Sequence, residues 1–173
     1  MKTLYLLRHA KSAWDAPALP DHDRPLAGRG ERAAPLVGRY LKEKGVLPDL
    51  VLCSTARRAQ DTCALVLEAM GADQAPVERE RRLYLCGAQV LLDRIREVRD
   101  EVSSLMLVAH NPDLHRLAWD LAGSGDPAAR EALEEKFPTG ACAILLFEGR
   151  SWREIAPATG RLLDFVRPRT LES

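Results

Sequence analysis

The chain opens on an apolar run, "TLYLLR" (residues 3–8), in which hydrophobic positions follow one another without polar alternation. A run this short, with aromatic content, predicts a strand buried on both faces. "APALPDHDRP" (16–25), rich in Pro and Asp, predicts a loop. "GERAAPLVGRYLKEKG" (30–45) then carries Ala33, Leu36, Val37, Tyr40 and Leu41 at helical spacing and stops at Gly45. Its Pro35 falls near the first turn, where a missing N–H costs least. "DLVLCS" (49–54) predicts a second strand. "ARRAQDTCALVLEAMG" (56–71) predicts a helix with Ala59, Cys63, Val66 and Met70 along one face.

Farther on, "APVER" predicts a short third strand. "VLLDRIREVRDEV" (90–102) predicts a helix presenting Leu91, Ile95, Val98 and Val102. "SLMLVAH" (104–110) repeats the opening pattern. "NPDLHRLAWDLAG" predicts a helix with Asn111 as N-cap and Pro112 at its first position. "ACAILLFEG" and "SWREIAP" predict a closing pair of strands joined around Gly149. Strands alternating with helices indicate an α/β fold with a largely parallel sheet. No repeat, low-complexity tract or domain-scale linker interrupts the pattern, so residues 1–173 are expected to form a single domain.

Composition narrows the functional classes. The chain is 46% hydrophobic and 29% charged, as a soluble globular protein is, and Lys+Arg and Asp+Glu balance at 25 each. With no general basic field, neither nucleic acid nor a membrane surface is an expected partner. No signal-peptide pattern opens the chain, and no apolar run approaches the ~18 residues of a membrane span. Cys53, Cys63, Cys86 and Cys142 show no CxxC spacing, which suits free thiols and a cytoplasmic location.

Three predicted strands end in polar groups: Arg8-His9, Ser54 to Arg58, and His110. In open α/β sheets, ligands sit beyond the carboxyl ends of strands, so a parallel sheet brings these ends to one rim. Two imidazoles and at least two guanidiniums converging there suit a phosphoryl group, which forked donors grip and neutralise. The predicted helix starts near Arg58 and Asn111 add N–H groups and positive dipole ends. One neutral imidazole can attack phosphorus, and the other can stabilise the transferring oxygens. Taken singly, each piece is also compatible with a structural role. Two histidines can bind zinc, but this rim offers no clear third ligand and several cations, so no metal is expected.

Taken together, the motifs resemble those of the histidine phosphatase superfamily, which includes cofactor-dependent phosphoglycerate mutases and many phosphatases. "LRHAKSAW" is similar to its first motif, "CSTARRAQDT" to its second and "LVAHNP" to the motif of its second histidine, in order along the whole chain. Chain length and the phrases "RHAKSAW", "DRPLAGRG" and "FPTGA" resemble the SixA-type phosphohistidine phosphatases. The resemblance implies a three-layer α/β/α sandwich with a mostly parallel central sheet, phosphoglycerate mutase-like. It implies His9 as a nucleophile that becomes phosphorylated, Arg8 and Arg58 as clamps on the phosphoryl oxygens, and His110 completing the pocket. Asp21 and Arg24 are expected at the substrate entrance. No cofactor is implied, and the implied partner is a phosphorylated protein, such as a histidine phosphotransfer domain, or a small phosphorylated molecule.

The departures are informative. Ala10 replaces a common glycine, and Asp15 stands where many mutases have an asparagine that donates to phosphate. An ionised carboxylate cannot donate, so Asp15 is expected to turn away or meet a cation such as Lys11. Many members place a general-acid glutamate two residues after a leucine; that leucine resembles Leu83, and the acid position holds Leu85. An alkoxide leaving group has a conjugate acid of pKa roughly 15.7, against ~6.5 for imidazole. That gap of about nine units removes most of the need for an acid, which favours phosphohistidine as substrate. The alternatives are a small-molecule phosphomonoesterase with Asp21, Asp23 or Glu80 as acid, and a phosphate-binding module without catalysis. A mutase is less expected, because the chain is short of the insertions that enclose a bisphosphate. His22 and His115 are expected on surface or helix, and the tail "RLLDFVRPRTLES" carries hydrophobics without evident chemistry.

Overall fold

A computed structural model describes residues 1–172. Its frame is a seven-stranded sheet in the order β3-β2-β4-β1-β6-β7-β5. The strands are β1 (Lys2–Arg8), β2 (Leu50–Ser54), β3 (Val77–Glu80), β4 (Ser104–Ala109), β5 (Ala122–Gly125), β6 (Cys142–Phe147) and β7 (Gly160–Val166). Among them β6 alone runs against the rest, pairing antiparallel with β1 and β7 while every other pairing is parallel. The helices are α1 (Gly28–Glu43), α2 (Arg57–Met70), α3 (Ala88–Arg96), α4 (Asp113–Leu121), α5 (Pro127–Glu135) and the short α6 (Pro168–Leu171). The expected α/β/α sandwich with a mostly parallel sheet is the observed architecture.

The unbroken apolar runs follow from burial on both faces. Leu4 and Leu6 of β1, Leu52 of β2 and Leu105 and Leu107 of β4 face the layer of α3, α4 and α5. Tyr5 and Leu7, Val51 and Cys53, and Met106 and Val108 face the layer of α1 and α2. Each such leucine, fully buried, contributes on the order of 1.5–3 kcal/mol. The two helices on the second face approach closely because residue 38 is glycine. A Cβ there would stand 2.6 Å from both Ala69 Cβ and the Val66 carbonyl oxygen. This contact seats α2, whose first turn carries Arg58.

Four local expectations are corrected. The predicted helix over 90–102 ends at Arg96, and Val98 and Val102 reach the core from hydrogen-bonded turns instead. Asn111 does not cap α4, which starts at Asp113; its side-chain amide donates to the Phe137 carbonyl at 2.8 Å. "SWREIAP" is not a strand. Trp152 opens a single tight turn there, fully buried, with its indole N–H donating to the Val102 carbonyl at 2.7 Å. The strand that pairs with β6 is β7, drawn from the tail that showed only hydrophobic content. Among the described residues, no helix is long and apolar enough to cross a membrane.

Candidate active site

The strand order makes β2, β4 and β1 adjacent and parallel, so Ser54, Ala109 and Arg8 end on one rim. Because β6 is antiparallel, the loop that precedes it, residues 137–141, arrives at the same rim. Gly140 lets that loop lie against the end of β1. Its φ of +77° is a left-handed conformation that side chains disfavour, and a Cβ would stand 2.9 Å from Pro168 Cγ. Its N–H donates to the carbonyls of Arg8 and His9 at 3.1 and 2.9 Å.

His9 and His110 face each other at this rim, ring centroids 5.3 Å apart. Both are buried, 6% and 1% exposed, which removes water from imidazoles that would otherwise protonate near pH ~6.5. Nδ1 of His9 lies 2.8 Å from the Ala10 carbonyl and, since a carbonyl only accepts, must carry the proton. Nε2 therefore keeps its lone pair. Burial lowers the His9 pKa most; the Ala10 bond partly opposes this, Arg58, Arg8 and Arg24 reinforce it, and the result is about 4. His110 is pushed to about 3 by burial, then by His9 and Arg58. Its Nε2 stands 2.7 Å from Ser54 Oγ, while its Nδ1 is buried without a hydrogen-bond partner.

Three guanidiniums surround the imidazoles. Arg8 donates from Nη1 to the Phe137 carbonyl at 3.0 Å. Arg58 donates from Nη1 to the Asp21 carbonyl at 2.8 Å and from Nη2 to Asp21 Oδ2 at 3.0 Å. The Nε atoms of Arg8 and Arg58 are buried and unpartnered. Arg24 bonds Asp21 Oδ1 at 3.1 Å and Ser12 Oγ at 2.9 Å, and stacks 3.5 Å from the Trp14 ring centre. Arg8, His9, Arg24, Arg58, His110 and Asn111 line a pocket of about 210 Å³. Neutral imidazoles, fixed cations and unpartnered buried donors form an environment that suits a small oxyanion.

Asp21 is brought to the site, but behind Arg58 rather than on the pocket wall. Burial raises its pKa, yet hydrogen bonds from Tyr84, Arg58 and Arg24 outweigh that and hold it at about 2. Leu85 stands on the pocket wall, half exposed, with a φ of +47° that is unusual for a non-glycine residue. The other carboxylates that the sequence offered as acids are engaged elsewhere or face solvent. Glu78 and Glu80 both pair with Arg94 at 2.9 Å, and exposed Asp23 lies 3.5 Å from His22 Nδ1. Asp15 is exposed and, among the described residues, has no ion pair; Lys11 instead lines the pocket.

Several contributors were not legible as such in the sequence. Thr62 accepts from the Ala10 N–H at 2.9 Å and donates to the Arg58 carbonyl at 2.7 Å, tying the His9 loop to α2. Its place four residues past Arg58 was the available signal. Tyr84, edge-on to the His110 ring, hydrogen-bonds Asp21, and no local pattern announced it. His22 is not a free surface group: its Nε2 lies 2.8 Å from Thr55 Oγ1 and its ring meets Tyr84 edge-on. His115 is a structural pin, Nε2 donating to the Leu133 carbonyl at 2.6 Å and so joining α4 to α5.

The sequence profile of the histidine phosphatase superfamily (branch 1) matches residues 4–102. The Mycobacterium tuberculosis protein Rv1276c, itself uncharacterized, is 42% identical over 94% of this chain and 100% of its own length. A solved structure from Nakamurella multipartitia that carries the provisional name phosphohistidine phosphatase SixA superposes with a TM-score of 0.81 at 32% identity, covering 96% of each chain. Its counterpart from Agrobacterium tumefaciens, provisionally named likewise, gives 0.81 at 31%, covering 96% of this chain and 98% of that one.

Proposed function

Because the chain belongs to branch 1 of the histidine phosphatase superfamily, we propose that it is a phosphatase that hydrolyses phosphohistidine on a protein through a phosphorylated His9. One observation carries the choice of substrate: the pocket offers no carboxyl group able to give up a proton near neutral pH. Leu85 occupies the wall position of the expected acid, and Asp21 is held ionised at about 2 by its three partners. A general acid is worth roughly 10²–10⁴-fold, which an alkyl ester needs and an imidazole leaving group does not.

In the proposed reaction the lone pair on His9 Nε2 attacks phosphorus in line. The P–N bond to the substrate imidazole breaks, and that imidazole leaves neutral, its departing nitrogen keeping the bonding pair and its other nitrogen keeping a proton. Water then attacks the phosphoryl group on His9, releasing inorganic phosphate and the neutral imidazole. Arg8 and Arg58 hold the equatorial oxygens, with the positive charge that a metal supplies in other phosphatases. Nδ1–H bonding to the Ala10 carbonyl keeps His9 in the productive tautomer and steadies the cation that forms on phosphorylation. Arg24 and Asp21 order the entrance.

The test compares hydrolysis of a phosphohistidine peptide and an alkyl phosphomonoester by the wild type and His9→Ala, with chelator present. The expected result is peptide turnover that survives chelation, vanishes in the variant and exceeds ester turnover by at least two orders of magnitude. Faster His9-dependent cleavage of the ester would replace this reading with that of a small-molecule phosphatase.

A further inference from the structure

A second, larger cleft adjoins the catalytic pocket. It measures about 400 Å³ and lies beyond the rim ends of β1, β6 and β7, where the loop before β6 meets α6. Lys11 and Thr139 stand on the walls of both cavities, so the two share a boundary. Lys11, Arg29, Lys136, Arg167 and Arg169 all line this cleft.

None of these five cations makes an ion pair or a side-chain hydrogen bond among the described residues. Some arginines elsewhere do find partners: Arg24, Arg57, Arg58, Arg82, Arg94 and Arg116 each hold a carboxylate. Carboxylates are not lacking in the cleft either, since Glu135 and Glu172 share its walls without pairing to its cations. Arg167 further carries a buried, unpartnered Nε. With a formal net charge of zero over the chain, this cluster is a local concentration of charge beside the pocket that holds the phosphoryl group.

We propose that this cleft docks an acidic segment of the phosphorylated protein, so that the enzyme prefers phosphohistidines flanked by aspartate or glutamate. The proposal rests on the phosphohistidine reading above. Guanidiniums match carboxylates as forked donors, and the cleft is sized for a few side chains rather than a folded domain. Lys11, Arg29, Lys136 and Arg169 are exposed. Their pull therefore reaches only about a Debye length, ~8 Å at physiological salt, and acts through encounter and binding rather than on the chemical step. Selectivity should appear in kcat/KM and fade as salt rises.

The experiment uses the full chain and two phosphohistidine peptides of equal length, one with Asp/Glu neighbours and one with Ser/Gln neighbours. The variant combines Arg29→Gln, Lys136→Gln and Arg169→Gln, exposed positions outside the catalytic pocket. In the wild type the acidic peptide should lead by about tenfold in kcat/KM at low salt, with the lead gone by about 0.5 M salt. The variant should turn over both peptides, and phosphoramidate, at the wild type's neutral-peptide and phosphoramidate rates. Parity in the wild type, or a lead undiminished in the variant, overturns the proposal. So does inhibition by a small bis-phosphate that is lost in the variant while the acidic peptide has no effect. The unphosphorylated acidic peptide separates the two readings. If only an alkyl phosphate is cleaved, the phosphohistidine reading fails; competitive inhibition of that cleavage, lost in the variant, still upholds the docking cleft.

Discussion

Arg58 holds Asp21 at two points, its Nη2 standing 3.0 Å from Oδ2 and its Nη1 donating to the backbone carbonyl at 2.8 Å. This fork fixes the plane of the guanidinium and pins the entrance loop to the first turn of α2. Tyr84 and Arg24 bind the same carboxylate, so Asp21 is a positioning group and not a reservoir of protons.

Replacement of Asp21 by Asn should therefore lower kcat/KM by about tenfold, the order expected for weakening one charged hydrogen bond. The decisive feature is the ratio between substrates. Phosphohistidine peptide and alkyl phosphomonoester should suffer by the same factor, because neither draws a proton from Asp21. A loss confined to the alkyl ester would identify Asp21 as the acid.

Leu85 offers the complementary experiment. Leu85→Glu places a carboxyl group on the pocket wall, and the left-handed backbone there already accommodates a side chain. Alkyl phosphomonoester turnover should rise at least tenfold, toward the lower end of what a general acid supplies, while phosphohistidine turnover changes little. Steady-state assays on both substrates read this directly. An unchanged ester rate would mean that some other group already protonates the leaving oxygen.

How much of this was legible in the sequence depended on the range of the forces involved. The strands that carry Arg8-His9, Ser54 and His110 announced themselves because burial on both faces leaves an apolar run no turn can tolerate. The rim followed from their parallel order. β5, "AGSG", has little strand propensity and exists because β7 lies beside it, a tertiary override. β7 was hidden by an extra residue of its own, Leu163, skipped between the Ile144–Asp164 and Leu145–Leu162 pairings, which breaks the simple alternation of its side chains. Helix α5 did carry a local signal, Asp126 capping the Ala129 N–H ahead of Pro127, and that signal was readable. In the site, Arg8, His9 and His110 converge because strand ends place them, and Arg58 joins them because the first turn of α2 follows the end of β2. Tyr84 reaches Asp21 across 63 residues of sequence, a contact that no periodicity encodes.

The buried imidazoles also set the pH dependence of stability. In the folded chain His9 and His110 sit at about 4 and about 3, below the ~6.5 expected when unfolded. Between those values the unfolded chain binds protons that the folded chain refuses, so stability rises with pH through this window. It is fully present above about pH 6.5 and is lost as pH falls toward 4, at up to about 1.4 kcal/mol per pH unit for each histidine. Asp21 acts in a lower window: its folded value of about 2 lies below the ordinary 3.8, so its contribution is lost only as pH falls from there through about 2. Urea midpoints measured from pH 5 to 8 at constant ionic strength should therefore decline below pH 6.5. His9→Asn keeps a side-chain amide where Nδ1–H meets the Ala10 carbonyl but removes the titrating group, and should make that decline shallower. The difference should grow steadily toward pH 5, with both proteins showing the same urea m-value. Parallel curves for variant and wild type would mean that His9 takes up its proton equally in both states, and the neutral nucleophile on which the proposed mechanism rests would have to be given up.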